Sequence, residues 1–242
     1  MTIEIRIDRK AFPRRGRTEP QLVLENLHLT LHEHEFVCLV GPSGCGKTTL
    51  LNLIAGLDQE FEGRIDFHLP KPPSLGYVFQ EPRLLPWRTV RENLELALPR
   101  GHNRQIITDL LAITDLTPFQ HAYPHQLSLG MSRRVALARA FAIEPDLLLM
   151  DEPFVSLDTA TAEKMRLLLQ KLRQKRPHTV LFVTHDLREA IALADRIVLL
   201  AAKPCHTVGE FLVPRSLRPA DERGIAALHG ELLKAIQRSA SD

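Results

Sequence analysis

Residues 36–57 read FVCLVGPSGCGKTTLLNLIAGL. The first five, Phe36 to Val40, form an unbroken apolar run, the pattern of a strand covered on both faces. The next eight, Gly41, Pro42, Ser43, Gly44, Cys45, Gly46, Lys47 and Thr48, fit G-x-x-x-x-G-K-[ST]. In such a turn successive backbone N–H groups point inward, and the helix start behind them adds its dipole, which makes a nest for phosphate. Lys47 is placed to reach β- and γ-phosphates, and the Thr48 hydroxyl is placed to ligate Mg²⁺. Thr49 carries the chain into a helix that runs out near Gly56.

Working outward, LVLENLHLTL (22–31) alternates at period two, as a half-buried strand does, and short strands follow around RIDFH and SLGYVFQ. Strand signals then stop. Between Trp87 and Arg134 the spacing in VRENLELAL and RQIITDLLAITDL is helical. From Val135 strands and helices alternate again: LLLM, AEKMRLLLQKLRQK, TVLFVTH, LREAIALA and RIVLLA. The expected organisation is a core in two parts, 1–86 and 135–213. Between them lies a helical subdomain at 87–134, and a helical tail follows at 214–242, with a closing hairpin near 200–213. The fold class expected is α/β, with a mainly parallel core sheet and an N-terminal antiparallel part.

Composition limits the partners. Thirty-one basic against 29 acidic residues leave a net charge of +2, too even for a dedicated nucleic-acid binder. Three widely spaced cysteines suit a reducing compartment rather than a disulfide framework or a zinc site. The opening MTIEIRIDRK lacks the apolar core of a secretory signal, and no apolar run is long enough to span a membrane.

Three further segments carry chemistry. LLLMDEP (147–153) is a buried strand ending in two carboxylates, at the edge of a parallel sheet where ligands bind. Asp151 is the candidate Mg²⁺ ligand, and Glu152 is the candidate to orient or deprotonate an attacking water. His185 ends the strand LFVTH and is a candidate sensor of the γ-phosphate. Gln80 closes YVFQ; its amide can touch Mg²⁺ or water, though spacing alone leaves a plain structural role equally open. Cys45 reads as a small spacer in the loop, and His32 and His34 as turn residues.

The order GPSGCGKTT, Gln80, LSLGM, LLLMDEP, SLD (156–158) and His185 resembles the ATP-binding subunits of ABC transporters, from about Ile3 to Val213. VFQEPRLLPWRTVRENL (78–94) is similar to the ATPases of nitrate, sulfonate and taurine importers. The resemblance implies two copies facing head to tail, with each ATP held between one copy's phosphate loop and the other's signature. It implies that Ser128 and Gly130 of LSLGM bind phosphate, that Asp158 reaches across the interface, and that Phe12 stacks on adenine. It also implies a membrane permease partner and, indirectly, a periplasmic solute-binding protein; Leu84, Leu85 and Trp87, next to Gln80, are placed to dock a permease helix as an exposed apolar patch. The expected location is peripheral, at the cytoplasmic face of the inner membrane. The signature is usually L-S-G-G-Q, and here Leu129 and Met131 replace two of its residues. Contact through Ser128 and backbone N–H groups survives that change if Leu129 points away at negative φ. An exporter subunit and a soluble remodelling ATPase remain as alternatives.

Overall fold

In the computed structural model, residues 1–13, 19–99, 101, 103–201, 204–214 and 222–239 are described. The expected start of the tail helix, 219–221, and two residues of the expected hairpin, 202–203, lie outside them. The chain divides into two compact units, Met1–Pro72 with Thr179–Asp242, and Pro73–His178.

The first unit opens with an antiparallel sheet of β1 (Thr2–Phe12), β2 (Gln21–His32) and β4 (Glu62–Asp66), in the order β2-β1-β4. Ile3, Ile5 and Ile7 lie opposite Leu31, Leu29 and Leu27, and all six are buried. This one-faced apolar ladder fixes the register, because a slip of one residue would expose the whole set. The register against β4 shifts between Ile7 and Arg9, so the inward positions change phase and Lys10 faces the interior.

The same unit holds β3 (Phe36–Val40) between two parallel neighbours, β7 (Thr179–Thr184) and β8 (Arg196–Leu200). All three are buried along their length, as strands covered on both faces must be. The strand β9 (Thr207–Leu212) closes an antiparallel hairpin on β8. Arg196 at the start of β8 is nearly buried and fully matched: its guanidinium donates to Glu35, to Glu210 and to the Thr30 carbonyl. Helices α1 (Lys47–Ile54), α6 (Leu187–Leu193) and α7 (Glu222–Ser239) complete the unit.

The second unit pairs β5 (Leu75–Val78) in parallel with β6 (Leu147–Asp151), with helices α2 (Val90–Glu95), α3 (Gln105–Ile113), α4 (Leu129–Phe141) and α5 (Thr159–Lys175). A Cβ on Gly76 would lie 2.7 Å from the Ala140 carbonyl, so only glycine lets α4 approach β5 this closely. Helix α2 starts on a capping box. The Glu92 N–H donates to the Thr89 hydroxyl, and the Thr89 N–H donates to the Glu92 carboxylate.

Two local expectations shift. Gln80 does not close its strand, since β5 stops at Val78 and Gln80 lies two residues beyond, exposed. Helix α4 starts at Leu129, ahead of the MSRRVALARAFA expected for it, because Ser128 caps it. The variant signature residues therefore sit in a helical first turn and not in a loop.

Candidate functional site

The phosphate loop runs from the end of β3 to the start of α1. Gly44 and Gly46 have φ of 72° and 121°, which side-chain-bearing residues rarely adopt. A Cβ on Gly46 would also lie 2.8 Å from Leu24 Cδ2 and 2.9 Å from Val23 Cγ1. Helix α1 has no side-chain cap, so its first turn is left to other acceptors, the arrangement that suits an anion. Lys47 is 4 % exposed, and its Nζ donates to the carbonyls of Gly41 at 2.8 Å and Pro42 at 2.9 Å, tying the loop to its own start. Pro42, Ser43, Gly44 and Thr48 are exposed, and Thr49 is half-buried.

Cys45 faces the interior of the loop, its Sγ 3.3 Å from where a Gly41 Cβ would sit, as a packing spacer should. A hydrogen bond with the Cys205 thiol is the main reason its pKa falls to about 6. Burial opposes that shift, and the Lys47 charge adds to it. Both cysteines are buried, free thiols.

Strand register brings His185 to the same edge. Val40 pairs with Thr184, so Gly41 and His185 leave adjacent parallel strands at the same level. His185 is exposed, and its neighbours hold the turn: Thr184 Oγ1 donates to Glu189 at 2.7 Å, and Asp186 caps α6 by accepting the Arg188 N–H at 2.7 Å. Phe12 also belongs to this unit, at the end of β1.

In the second unit the register of β5 on β6 pairs Val78 with Met150, so Gln80 leaves β5 near the level at which Asp151 and Glu152 leave β6. Asp151 is 4 % exposed. It lies close enough to Tyr77 that its charge, after burial, raises the Tyr77 pKa. Glu152 has φ of 43°, a left-handed conformation that costs on the order of 1 kcal/mol for a non-glycine residue. Arg133 of α4, 6 % exposed, donates to the next carbonyl, Pro153, at 2.7 Å and braces that turn.

The segment after Gln80 is held from two helices. Arg139 of α4 donates to the carbonyls of Pro82 at 2.9 Å and Arg83 at 2.8 Å. Asn93 of α2, fully buried, accepts the Leu85 N–H at 2.8 Å and donates to the Leu85, Arg88 and Thr89 carbonyls. Trp87 stands outside this framework, 68 % exposed, and is no core residue.

The signature residues cap helices and share a groove. Ser128 Oγ accepts the Met131 N–H at 3.2 Å, and Asp158 Oδ1 accepts the Thr161 N–H at 3.0 Å at the start of α5. Hydrogen bonds from the Thr161 side chain and, next, from its N–H hold the Asp158 carboxyl below its usual pKa. A groove of about 690 Å³ is lined by Ser128, Leu129, Gly130, Met131 and Asp158. Leu129 is 47 % exposed and is not among the residues at positive φ.

Three cations with buried or backbone partners escaped the sequence reading: Arg133, Arg139 and Lys10. Nothing in the spacing of the two arginines along α4 marks them as bound to remote backbone carbonyls. Lys10 is hidden by the change of phase in β1.

The family model described as ABC transporter matches residues 24–155. The aliphatic sulfonates import ATP-binding protein SsuB 2 of Pseudomonas syringae pv. tomato is 40% identical over 98% of this chain and 99% of its own length. The SsuB protein of Bacillus cereus is 44% identical over 88% of each chain. Among solved structures, a dimeric ATP-binding cassette in a post-hydrolysis state bound to ADP and Pi superposes with a TM-score of 0.77. It is 33% identical and covers 88% of this chain and 99% of its own. The chain belongs to the ABC transporter family and is one of its ATPase subunits.

Proposed function

We propose that the chain hydrolyses ATP to power a separate membrane permease that imports aliphatic sulfonates or a related small solute such as taurine or nitrate. The observation that carries the import reading is the likeness to sulfonate importers over nearly the whole length of both chains. Among the described residues no helix is long and apolar enough to cross a membrane. The subunit sits peripherally at the cytoplasmic face of the inner membrane. A periplasmic solute-binding protein delivers cargo to the permease, and nucleic acid has no part.

Two copies work head to tail. Gly41 to Thr49 of one copy hold the phosphates through backbone N–H groups and Lys47, and Phe12 stacks on the base. Ser128, Gly130 and Asp158 of the other copy close over the γ-phosphate from their groove. Thr48, Gln80 and Asp151 would hold Mg²⁺. Few hard oxygen donors suit an ion that keeps several waters and takes phosphate oxygens. Asp151, nearly buried at the end of β6, supplies such a donor. The ion held there would supply charge neutralisation to the phosphates. Glu152 accepts the proton of the attacking water, and His185 holds a γ-phosphate oxygen. Little covalent work falls to the protein, so catalysis is positioning and electrostatics. ATP touches both copies only when they are closed, and hydrolysis therefore releases them.

The test is reconstitution in vesicles with a sulfonate-importer permease and solute-binding protein, with labelled alkanesulfonate, taurine and nitrate offered. ATP-dependent uptake of one of them is expected. ATP-dependent movement out of the cytoplasmic side would replace the import reading with an export one.

Exposed Trp87, next to a segment anchored by Arg139 and Asn93, is the proposed permease contact. Trp87→Ala is expected to lower permease-stimulated ATPase about tenfold, the scale of losing one aromatic anchor at an interface. Basal ATPase and melting temperature should stay unchanged. Loss of basal activity in parallel would show that Trp87 serves the subunit's own fold.

A further inference from the structure

Strand β1 ends at Phe12, whose side chain is 38 % exposed. Two residues earlier Lys10 is 1 % exposed, a depth at which an ammonium has to be matched. Its Nζ lies 2.8 Å from Asp58 Oδ1, 2.7 Å from Asp58 Oδ2 and 2.6 Å from the Glu60 carbonyl oxygen. The same Nζ is 4.5 Å from the centre of the Phe12 ring.

The anchor leads back to the phosphate loop. Asp58 lies just beyond α1, and the N–H groups of Leu57 and Asp58 both donate to the Asn52 carbonyl of that helix, at 2.9 and 3.3 Å. The Glu60 N–H donates to Asp58 Oδ1 at 3.0 Å. Burial pushes the Asp58 carboxyl up, but the hydrogen bonds from Lys10 and the Glu60 N–H outweigh it and keep the group ionised. A continuous set of short contacts thus runs from Phe12 through Lys10 and Asp58 to α1, whose first residue is Lys47.

We propose that Lys10 is a positioning residue for the nucleotide base: pinned by Asp58, it covers one face of the Phe12 ring and fixes that ring relative to the phosphate loop. The proposal rests on Phe12 as the stacking aromatic. A phenylalanine at an exposed strand end otherwise samples several rotamers and loses that freedom when a base stacks on it. An ammonium on one ring face holds the ring in advance and leaves the opposite face for a purine. A purely structural site at this depth has no need of a charge, since leucine or methionine fills the same volume without a partner.

The experiment measures the affinity of the full-length chain for ATP and for inorganic tripolyphosphate, both with Mg²⁺. The proteins compared are the unmodified chain, Phe12→Ala, Lys10→Met, the double variant, Asp58→Asn and Lys10→Arg. Phe12→Ala and Lys10→Met are each expected to weaken ATP about fivefold and to leave tripolyphosphate unchanged. Lys10→Met should have no further effect once Phe12 is gone, and Lys10→Arg should retain most of the affinity. If Lys10→Met does not fold, Asp58→Asn, which keeps the lysine and releases its anchor, should show the same selective loss more mildly. Equal losses for ATP and tripolyphosphate would overturn the proposal, and so would a fall in melting temperature with ATP affinity intact. If Phe12→Ala alone weakens ATP, the stacking assignment stands and the lysine's role falls. If Phe12→Ala changes nothing, the stacking assignment falls and takes the lysine's role with it.

Discussion

Glu152→Gln will bind ATP as the unmodified chain does and will hydrolyse it at least about a hundredfold more slowly, the scale of removing a general base. Glu152 follows the last residue of β6 in a left-handed conformation, with the Arg133 guanidinium on the Pro153 carbonyl beside it. Glutamine has the same length and the same backbone demands, so the turn should stay as it is. The one property lost is the capacity to take a proton. Because ATP is then held without being consumed, Mg-ATP should move the variant from monomer to dimer on size-exclusion chromatography. Native-rate hydrolysis by the purified variant would remove Glu152 from the mechanism.

The second large effect separates two adjacent signature positions. Leu129→Gly is expected to keep ATPase activity within a few-fold. The Leu129 side chain is half exposed on the first turn of α4, and glycine there costs only about 1 kcal/mol of helix stability. Gly130→Asp is expected to lower turnover about a hundredfold, comparable to the loss of a donor aimed at transition-state charge. A Cβ at Gly130 meets Thr161 Cγ2 at 3.0 Å, and the new carboxylate enters the groove where Asp158 already carries a negative charge. An acidic residue in a first helical turn favours the helix, so the loss would not come from unfolding α4. ATP should bind the variant's own phosphate loop normally. Nucleotide affinity measured separately from turnover checks both halves of this expectation.

The contrast between legible and illegible features has a physical origin. The phosphate loop can be read because each of its requirements is local: an apolar strand, glycines at positive φ, and a helix start without a side-chain cap. Strand identity in β3, β7 and β8 follows from unbroken apolar runs. The position of Lys10 was not legible, because strict alternation from Ile3, Ile5 and Ile7 puts Arg9 inward, and only the register shift against β4 turns Lys10 in. The start of α4 is set two residues early by a serine whose capping role competes with the phosphate role its motif suggests. Arg133 and Arg139 read as surface charges on a helix, yet their partners are backbone carbonyls at Pro153, Pro82 and Arg83, remote in sequence. Exposure of Trp87 was likewise undecidable from spacing, since an aromatic beside a helical stretch serves core and docking equally well.

The central claim is that each ATP is hydrolysed between the phosphate loop of one copy and the signature of another. Mixing two individually inactive variants tests it. Lys47→Ala disables a phosphate loop, and Gly130→Asp disables a signature. In a head-to-tail heterodimer one site combines both lesions, while the other joins an intact loop to an intact signature. Random mixing at concentrations that favour dimers should therefore restore ATP hydrolysis, up to roughly a quarter of the unmodified rate if the sites act independently. A mixture that stays as inactive as its components, with heterodimers demonstrated, would contradict the shared site.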